Sequence, residues 1–259
     1  METLNTYKES TTNKITLNLD GNAEVSVKGF IAPIENTLSN FHVEWDALAH
    51  LRVTEPEKRY PVSVFRAFLP NKPVSVGDLW QIEEASVLEL LQQLHPDPTL
   101  DMHINSGDSR GLWACLRAYN DQFAEIVFRI HAEFKLEGGW FTPSQFAGTL
   151  VIDRIEQRVV FFEMYVPEST VNFDLNWTSA DAGFCSQMEL RAGTQDIIRE
   201  IEFTEAITYE AAKHSLILCF YESARINWVP PSQVLETAQA QQKPIHAISI
   251  DGPLADESC

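Results

Sequence analysis

Two neighbouring stretches, LWACLRAY at residues 112–119 and EIVFRIHAEF at residues 125–134, decide the fold class of this 259-residue chain. Apolar and polar residues alternate in both, which is the pattern of a β-strand with one buried face. Four more stretches alternate in the same way: AGTLVID (147–153), RVVFFEMYV (158–166), VNFDLNW (171–177) and SQMELRA (186–192). Antiparallel strands at this spacing predict a curved sheet or a sandwich packed against few helices.

The alternation within FRIHAEF assigns its side chains to two faces of one strand. The apolar face carries Phe128, Ile130, Ala132 and Phe134. The opposite face carries Arg129, His131 and Glu133, which are candidate substrate-binding or proton-transfer residues. A solvated face or a satisfied salt-bridge network is the structural interpretation of the same three residues. A His-x-Glu pair alone does not specify a metal, and we expect none.

The composition limits the class of partner. Hydrophobic residues make up 44% and charged residues 22% of the chain, as in folded globular proteins. Carboxylates outnumber Lys and Arg by 37 to 19, and the net charge of −18 disfavours nucleic acid and anionic membranes as partners. The sequence contains no signal-peptide pattern and no apolar stretch of membrane-spanning length, so we expect a cytoplasmic protein.

The first hundred residues predict a hairpin, a strand and a helix. ITLNLDGNAEVSV (15–27) alternates on both sides of the turn residues 20–22, which is a hairpin pattern. A calcium loop centred on the same turn would need carboxylates at Thr16 and Val27 and is not expected. YPVSVFRAFLP (60–70) predicts a strand, and SVLELLQQLHP (86–96) predicts a helix that ends before its proline.

The last quarter is predicted to be helical and to end on a reactive thiol. TEAITYEAAKHSLILCF predicts a helix from about Thr204, and PSQVLETAQAQQ predicts another from about Ser232. PIHAISI (244–250) predicts a buried strand, followed by a turn and Cys259. This is the order in which a thioredoxin-type fold presents its thiol at a helix N-terminus, whose dipole stabilises the thiolate.

The predicted fold class is therefore α+β: a β-rich domain followed by the first helix–strand unit of a truncated thioredoxin-like fold. We expect the β-rich domain at residues 1–203, a helical connector at 204–231 and the start of the thioredoxin-like domain at 232–259. The other cysteines, Cys115, Cys185 and Cys219, have no CxxC or zinc-ligand spacing and are interpreted as buried small hydrophobes.

Several strings in the chain resemble the selenoprotein N family, in the same order, over roughly residues 65–259. They are AFLP (67–70), HPDP (95–98), ACLRAYND (114–121), FRIHAEF (128–134), WFTPSQFAG (140–148), VNFDLNW (171–177), QMEL (187–190) and KPIHAISIDGPLADESC (243–259). In that family the last string continues as Ser-Cys-selenocysteine-Gly. The resemblance therefore implies that Ser258 and Cys259 begin a redox motif, and that this chain stops at a selenocysteine codon translated as a stop.

The resemblance implies a thiol/selenol–disulfide oxidoreductase of the bacterial type, with Cys259 as a catalytic residue. Its partners would be a protein or small-molecule disulfide and, as reductant, glutathione or a protein thiol. We expect no cofactor, because no nucleotide-binding Gly loop is present in the strand-rich region. The family's calcium-sensing and pump-regulating properties are not expected of this chain.

Two alternative interpretations remain open. In the first, the β-rich part is a non-enzymatic binding domain, with FRIHAEF and WFTPSQF on its surface and Trp140 in an exposed aromatic loop. A core-anchoring role for Trp140 is the structural interpretation. In the second, the chain is a truncated, inactive product, poorly soluble or proteolysed after about Trp228 because its last strand lacks partners.

Overall fold

The computed structural model describes residues 14–100, 111–169, 171–220 and 228–247. These residues form fifteen strands and seven helices. The strands are β1 Glu24–Ile31, β2 Asn36–Thr37, β3 Glu57–Pro61, β4 Leu79–Gln81, β5 Pro98–Thr99, β6 Leu112–Tyr119, β7 Phe123–Ile130, β8 Glu133–Leu136, β9 Gly139–Pro143, β10 Phe146–Asp153, β11 Arg158–Tyr165, β12 Phe173–Asn176, β13 Ala180–Phe184, β14 Met188–Ala192 and β15 Glu205–Ala206. The helices are α1 Phe41–Glu44, α2 Asp46–Ala49, α3 Ser63–Arg66, α4 Glu84–Leu94, α5 Gln195–Arg199, α6 Tyr209–Leu218 and α7 Val234–Gln241.

The strands form two antiparallel sheets. The large sheet has nine strands in the order β15-β6-β7-β10-β11-β14-β1-β3, with β4 also paired to β6. The small sheet has six strands in the order β2-β13-β12-β9-β8-β5. The chain leaves the large sheet after β7, forms the β8–β9 hairpin of the small sheet, and returns to the large sheet as β10. Strands β7 and β10 are therefore consecutive strands of the large sheet and pair with each other, although the β8–β9 hairpin of the small sheet lies between them in sequence.

The main core contains the apolar face predicted for FRIHAEF. Phe128, Ile130, Ala132 and Phe134 all belong to it and are 0–1% exposed. Helix α4 adds apolar residues spaced three, four and seven apart, the period of a helix with one buried side. They are Val87, Leu90, Leu91 and Leu94, each fully buried.

Several strands formed where they were predicted, and two early predictions were wrong. The hairpin predicted at residues 15–27 does not form, because Ile15 bridges Val74 while β1 pairs with β3 and β14. The strand predicted at 60–70 ends at Pro61, and helix α3 follows it. Val64, Phe65 and Phe68 are buried with spacings of one and four, which suit a helical turn better than a strand.

The predicted fold class was wrong in its C-terminal part. Helix α7 forms close to the predicted position, but residues 243–247 after it are exposed and do not form a strand. The rest of that predicted strand lies outside the described residues. Ile245 is 46% exposed, so an apolar sequence alone did not place this segment in a sheet. The architecture of the described residues is β-rich with two antiparallel sheets, and they do not form the predicted thioredoxin-like helix–strand unit.

Candidate functional site

The candidate site lies where the chain crosses between the two sheets. Ile130 at the end of β7 is paired with Phe146 at the start of β10, and Phe134 on β8 is paired with Phe141 on β9. The two short crossings, 131–132 and 144–145, therefore run side by side. Because neighbours across paired strands share a face, this register places the polar side of FRIHAEF beside the side chain of Gln145.

The three polar residues predicted from the alternation are brought together, and all are buried. Arg129 is 2% exposed, and His131 and Glu133 are each 1% exposed. The Arg129 Nε–H donates to Gln145 Oε1 at 2.7 Å, and the Thr142 hydroxyl donates to Glu133 Oε2 at 3.4 Å. The interpretation of this face as solvated was wrong, because tertiary contacts cover it.

Phe220, two residues beyond helix α6, supplies one of those contacts. Its ring meets the His131 imidazole edge to face, with 4.5 Å between the ring centroids. The backbone N–H of His131 donates to the carbonyl of Gly111 at 2.9 Å. Gly111 has φ +63°, and a Cβ there would lie 2.7 Å from the Cβ of His131, so only glycine fits at this crossing.

His131 is kept neutral. Burial, and next the charge of Arg129, lower the pKa of His131 from 6.5 to about 3. Among the described residues, neither ring nitrogen of His131 has a hydrogen-bond partner, and the amide nitrogen of Gln145 has none either. Since Arg129 holds the amide oxygen of Gln145, the orientation of that side chain is fixed. The cluster can therefore position groups by hydrogen bonding, whereas protonation of His131 near neutral pH is strongly disfavoured.

Trp140 lies elsewhere on the small sheet. It is on β9, paired with Lys135 and Asn176, and its side chain is 39% exposed. It shares a face of that strand with Thr142, two residues further along, while Phe141 between them is fully buried. The stretch predicted as an aromatic loop is therefore a strand, and Trp140 is its one exposed residue.

The thiols differ in burial. Burial raises the pKa of Cys115 to about 12, and the charges of Asp78 and Cys219 add to the effect. Burial also raises the pKa of Cys185. Cys219 is half-buried, and its thiol donates to the carbonyl of Ser215 at 3.3 Å. The predicted catalytic residue, Cys259, lies outside the described residues, as does Ser258.

Sequence reasoning missed the partners of the polar row. Gln145 and Thr142 come from the TPSQ stretch, which lies in the connector between the strands predicted at 125–134 and 147–153. Phe220 is distant in sequence from the residues that it covers. FRIHAEF and WFTPSQFAG both resemble the selenoprotein N family, and a shared resemblance does not indicate contact.

Clusters of metal-ligating side chains and membrane-spanning helices are absent from the described part of the chain. Across residues 14–100, 111–169, 171–220 and 228–247, His, Cys, Asp and Glu side chains do not gather in any group of three that would suit a metal ion. None of the described helices has the length and apolar character needed to cross a membrane.

The fold and the site define a class: a β-rich protein with two antiparallel sheets, a buried polar row at the crossing between them, and thiols packed in its interior. No family profile and no solved structure matches the chain significantly. Curated relatives do, and they give a more specific assignment.

The chain is selenoprotein N-like, which confirms the resemblance drawn from its strings. It is 30% identical to selenoprotein N of Danio rerio over 76% of this chain and 42% of that protein. It is 25% identical to selenoprotein N of Mus musculus and of Homo sapiens over 90% of this chain, and 52% and 49% of those proteins. The chain thus spans about half the length of the curated relatives that it matches.

Proposed function

We propose that this chain belongs to a thiol/selenol–disulfide oxidoreductase of the selenoprotein N type, with Cys259 as one member of its redox pair. The similarity to selenoprotein N over 76–90% of the chain supports the proposal. The position of Cys259 in the terminal string that resembles the family's redox motif supports it at the level of the residue.

The contrast between the cysteines is the observation that carries the proposal. Thiolate, not thiol, is the nucleophile in disulfide exchange. Cys115 and Cys185 are 0% and 3% exposed, and burial raises the pKa of both, so these two thiols are inert packing groups. Redox chemistry would then rest on Cys259, with the half-buried Cys219 as the competing candidate.

The proposed reaction is a two-step exchange. The selenolate that follows Cys259 in the family pattern attacks one sulfur of the substrate disulfide and displaces the other as a thiolate. The Cys259 thiolate then attacks the selenium–sulfur bond, which releases the second substrate thiolate and leaves a sulfur–selenium bond in the enzyme. Two thiols, from glutathione or a protein dithiol, return two electrons and restore the reduced pair.

In this proposal the two-sheet body recognises or positions the disulfide substrate. The buried row of Arg129, His131 and Glu133 would act indirectly, by fixing the crossing between the sheets, because each of the three side chains is 98–99% covered. They are positioning candidates, and the substrate-contacting residues would lie on the surface of the body.

Residue-resolved alkylation tests the assignment of the thiol. The native protein is treated with iodoacetamide at several pH values, and the labelling rate of each cysteine is read by mass spectrometry. We expect Cys259 to be labelled first, and Cys115 and Cys185 to be labelled only after denaturation. Labelling of Cys115 or Cys185 in the native protein as fast as Cys259 would contradict the conclusion that burial makes these two thiols unreactive.

A second candidate function is protein binding without redox chemistry. The exposure of Trp140 favours it, since exposed tryptophans are frequent anchors of interfaces. The FRIHAEF row is buried and would not line such an interface. Trp140→Ala should weaken partner capture at unchanged thermal stability, whereas a loss of stability would make Trp140 a structural residue.

A further inference from the structure

One half of the large sheet presents an open outer face. Ala147, Tyr165, Glu189 and Phe30 are successive cross-strand partners on β10, β11, β14 and β1. They therefore form one row perpendicular to the strands, on a single face. Helix α6 packs on β6 and β7 beyond one end of this row, and α5 packs on β11. Phe30, at the other end of the row and next to last in β1, is 45% exposed.

A groove of about 600 Å³ lies over the middle of this row, at Tyr165 and Glu189, and we call it the outer-face groove. Ala147 and Phe30, at the two ends of the row, lie outside its lining. Tyr165 and Pro167 form part of its wall and are shared with a smaller cavity of about 70 Å³ beside α6. With adjacent strands about 4.8 Å apart, the row from Ala147 to Phe30 spans roughly 15 Å, the length of four or five extended residues.

The lining of the groove is acidic. Glu163, Glu168 and Glu189 line it against a single cation, Arg191. Arg191 is ion-paired with Glu163 and lies 3.4 Å from Glu189, whereas Glu168 is exposed to solvent. Lys28, the cross-strand partner of Arg191 on β1, lies beside the groove and outside its lining. The lining of the groove itself therefore keeps a net negative charge, which favours a cationic occupant there, whereas Lys213 lines the adjoining small cavity.

We propose that the outer-face groove binds an extended basic segment of a partner protein. Lys or Arg side chains of the segment pair with Glu168 and Glu189. Apolar side chains pack on the ring of Tyr165 within the groove and on Phe30, which lies beyond the groove along the same row. Aromatic faces also attract cations, so Tyr165 suits both kinds of side chain. This inference goes beyond the redox proposal and does not depend on it, because it concerns binding alone.

Fluorescence anisotropy with labelled model peptides tests the proposal. The probe is an eight-residue peptide alternating lysine and leucine, and the comparison peptides alternate glutamate with leucine and lysine with serine. We expect the lysine–leucine peptide to bind most tightly, the lysine–serine peptide more weakly, and the glutamate–leucine peptide not at all. Equal binding of the glutamate–leucine peptide, or no binding of the lysine–leucine peptide, would overturn the proposal.

Matched variants separate this groove from general attraction to a protein of net charge −18. Glu168→Lys and Phe30→Ser should each weaken binding of the lysine–leucine peptide about fivefold or more, the scale of one lost contact. Glu137→Lys and Leu38→Ser make the same chemical changes at exposed positions near or on the small sheet. Equal weakening by these control variants would show attraction to the whole surface and would contradict a specific groove.

Discussion

Helices α6 and α7 were predicted from similar patterns, and they differ in what surrounds them. Helix α6 packs on β6 and β7, and it buries Ala212, Leu216 and Ile217. Helix α7 buries no side chain, and residues 243–247 after it are exposed. Both helices form, so helix formation here follows local sequence, whereas burial follows from the sheet that a helix can reach.

The same difference separates the thiols. In the body, packing surrounds Cys115 and Cys185 and keeps them protonated. The exposed segment that contains α7 leads along the chain toward Cys259. Under the proposed function, recognition would belong to the sheet-forming body with its buried thiols, and the redox chemistry to the segment that follows it.

The largest expected effect is on the free energy of unfolding, and it appears when a substitution in the core is compared with one in α7. Phe162 is fully buried and its ring meets those of Phe65, Phe68 and Phe128. Phe162→Ala should lower the free energy of unfolding by about 3–5 kcal/mol, because it leaves a cavity among aromatic rings. Leu235→Ala, at a side chain 68% exposed, should change it by less than about 0.5 kcal/mol. Urea denaturation measures both, and a large effect at Leu235 would show that α7 is packed.

The next effect concerns pH and the buried row. The pKa of His131 is lowered to about 3 in the folded protein, against about 6.5 when unfolded. Between pH 3 and pH 6.5, His131 therefore binds a proton in the unfolded chain and does not bind one in the folded chain. The stability associated with neutral His131 is present above pH 6.5 and is lost as the pH falls toward 3.

Replacing His131 tests this linkage. His131→Leu removes the titrating group, so the variant should lose less stability than the wild type on acidification, by up to about 1.4 kcal/mol per pH unit. The comparison at pH 8 isolates the change in packing alone. Parallel stability curves for the two proteins between pH 3 and 6.5 would contradict a buried neutral imidazole.

The smallest effect contrasts the helix caps. The Thr208 hydroxyl accepts a hydrogen bond from the Ala211 N–H at 3.1 Å, whereas Gln233, which precedes α7, makes no such side-chain bond. Thr208→Ala should cost about 1 kcal/mol, and Gln233→Ala should leave the global stability unchanged. Thermal unfolding followed by circular dichroism distinguishes the two. An equal loss of stability in both variants would show that the Thr208 cap does not distinguish α6 from α7.

Local pattern predicted the strands of the large sheet well. LWACLRAY coincides with β6, and the stretches predicted at 147–153 and 158–166 differ from β10 and β11 by one residue at one end. These strands alternate strongly and have clear connectors. The hairpin at 15–27 failed because alternation identifies extended segments but does not identify their partners. Similarly, the described part of PIHAISI, residues 244–247, contains apolar residues but does not pair with a strand.

The sequence predicted which residues of FRIHAEF form the polar row of the candidate site, but it did not predict which residues surround that row. Alternation correctly grouped Arg129, His131 and Glu133 on one face, opposite Phe128 and Ile130. It could not show that Gln145 and Phe220 cover that face, because these contacts join positions 16 and 89 residues away from Arg129 and His131 respectively. Burial by distant segments has no local signature in a single sequence.

The rate of disulfide exchange by the full protein tests the redox proposal most directly. The substrate is a model peptide with an intramolecular disulfide, glutathione is the reductant, and the variants are Cys259→Ser and Cys219→Ser. We predict that Cys259→Ser lowers the rate to that of glutathione alone, while Cys219→Ser keeps most of it and both variants retain the wild-type unfolding midpoint. A Cys259→Ser protein that exchanges disulfides at the normal rate would contradict the assignment of Cys259 and, with it, the proposed function.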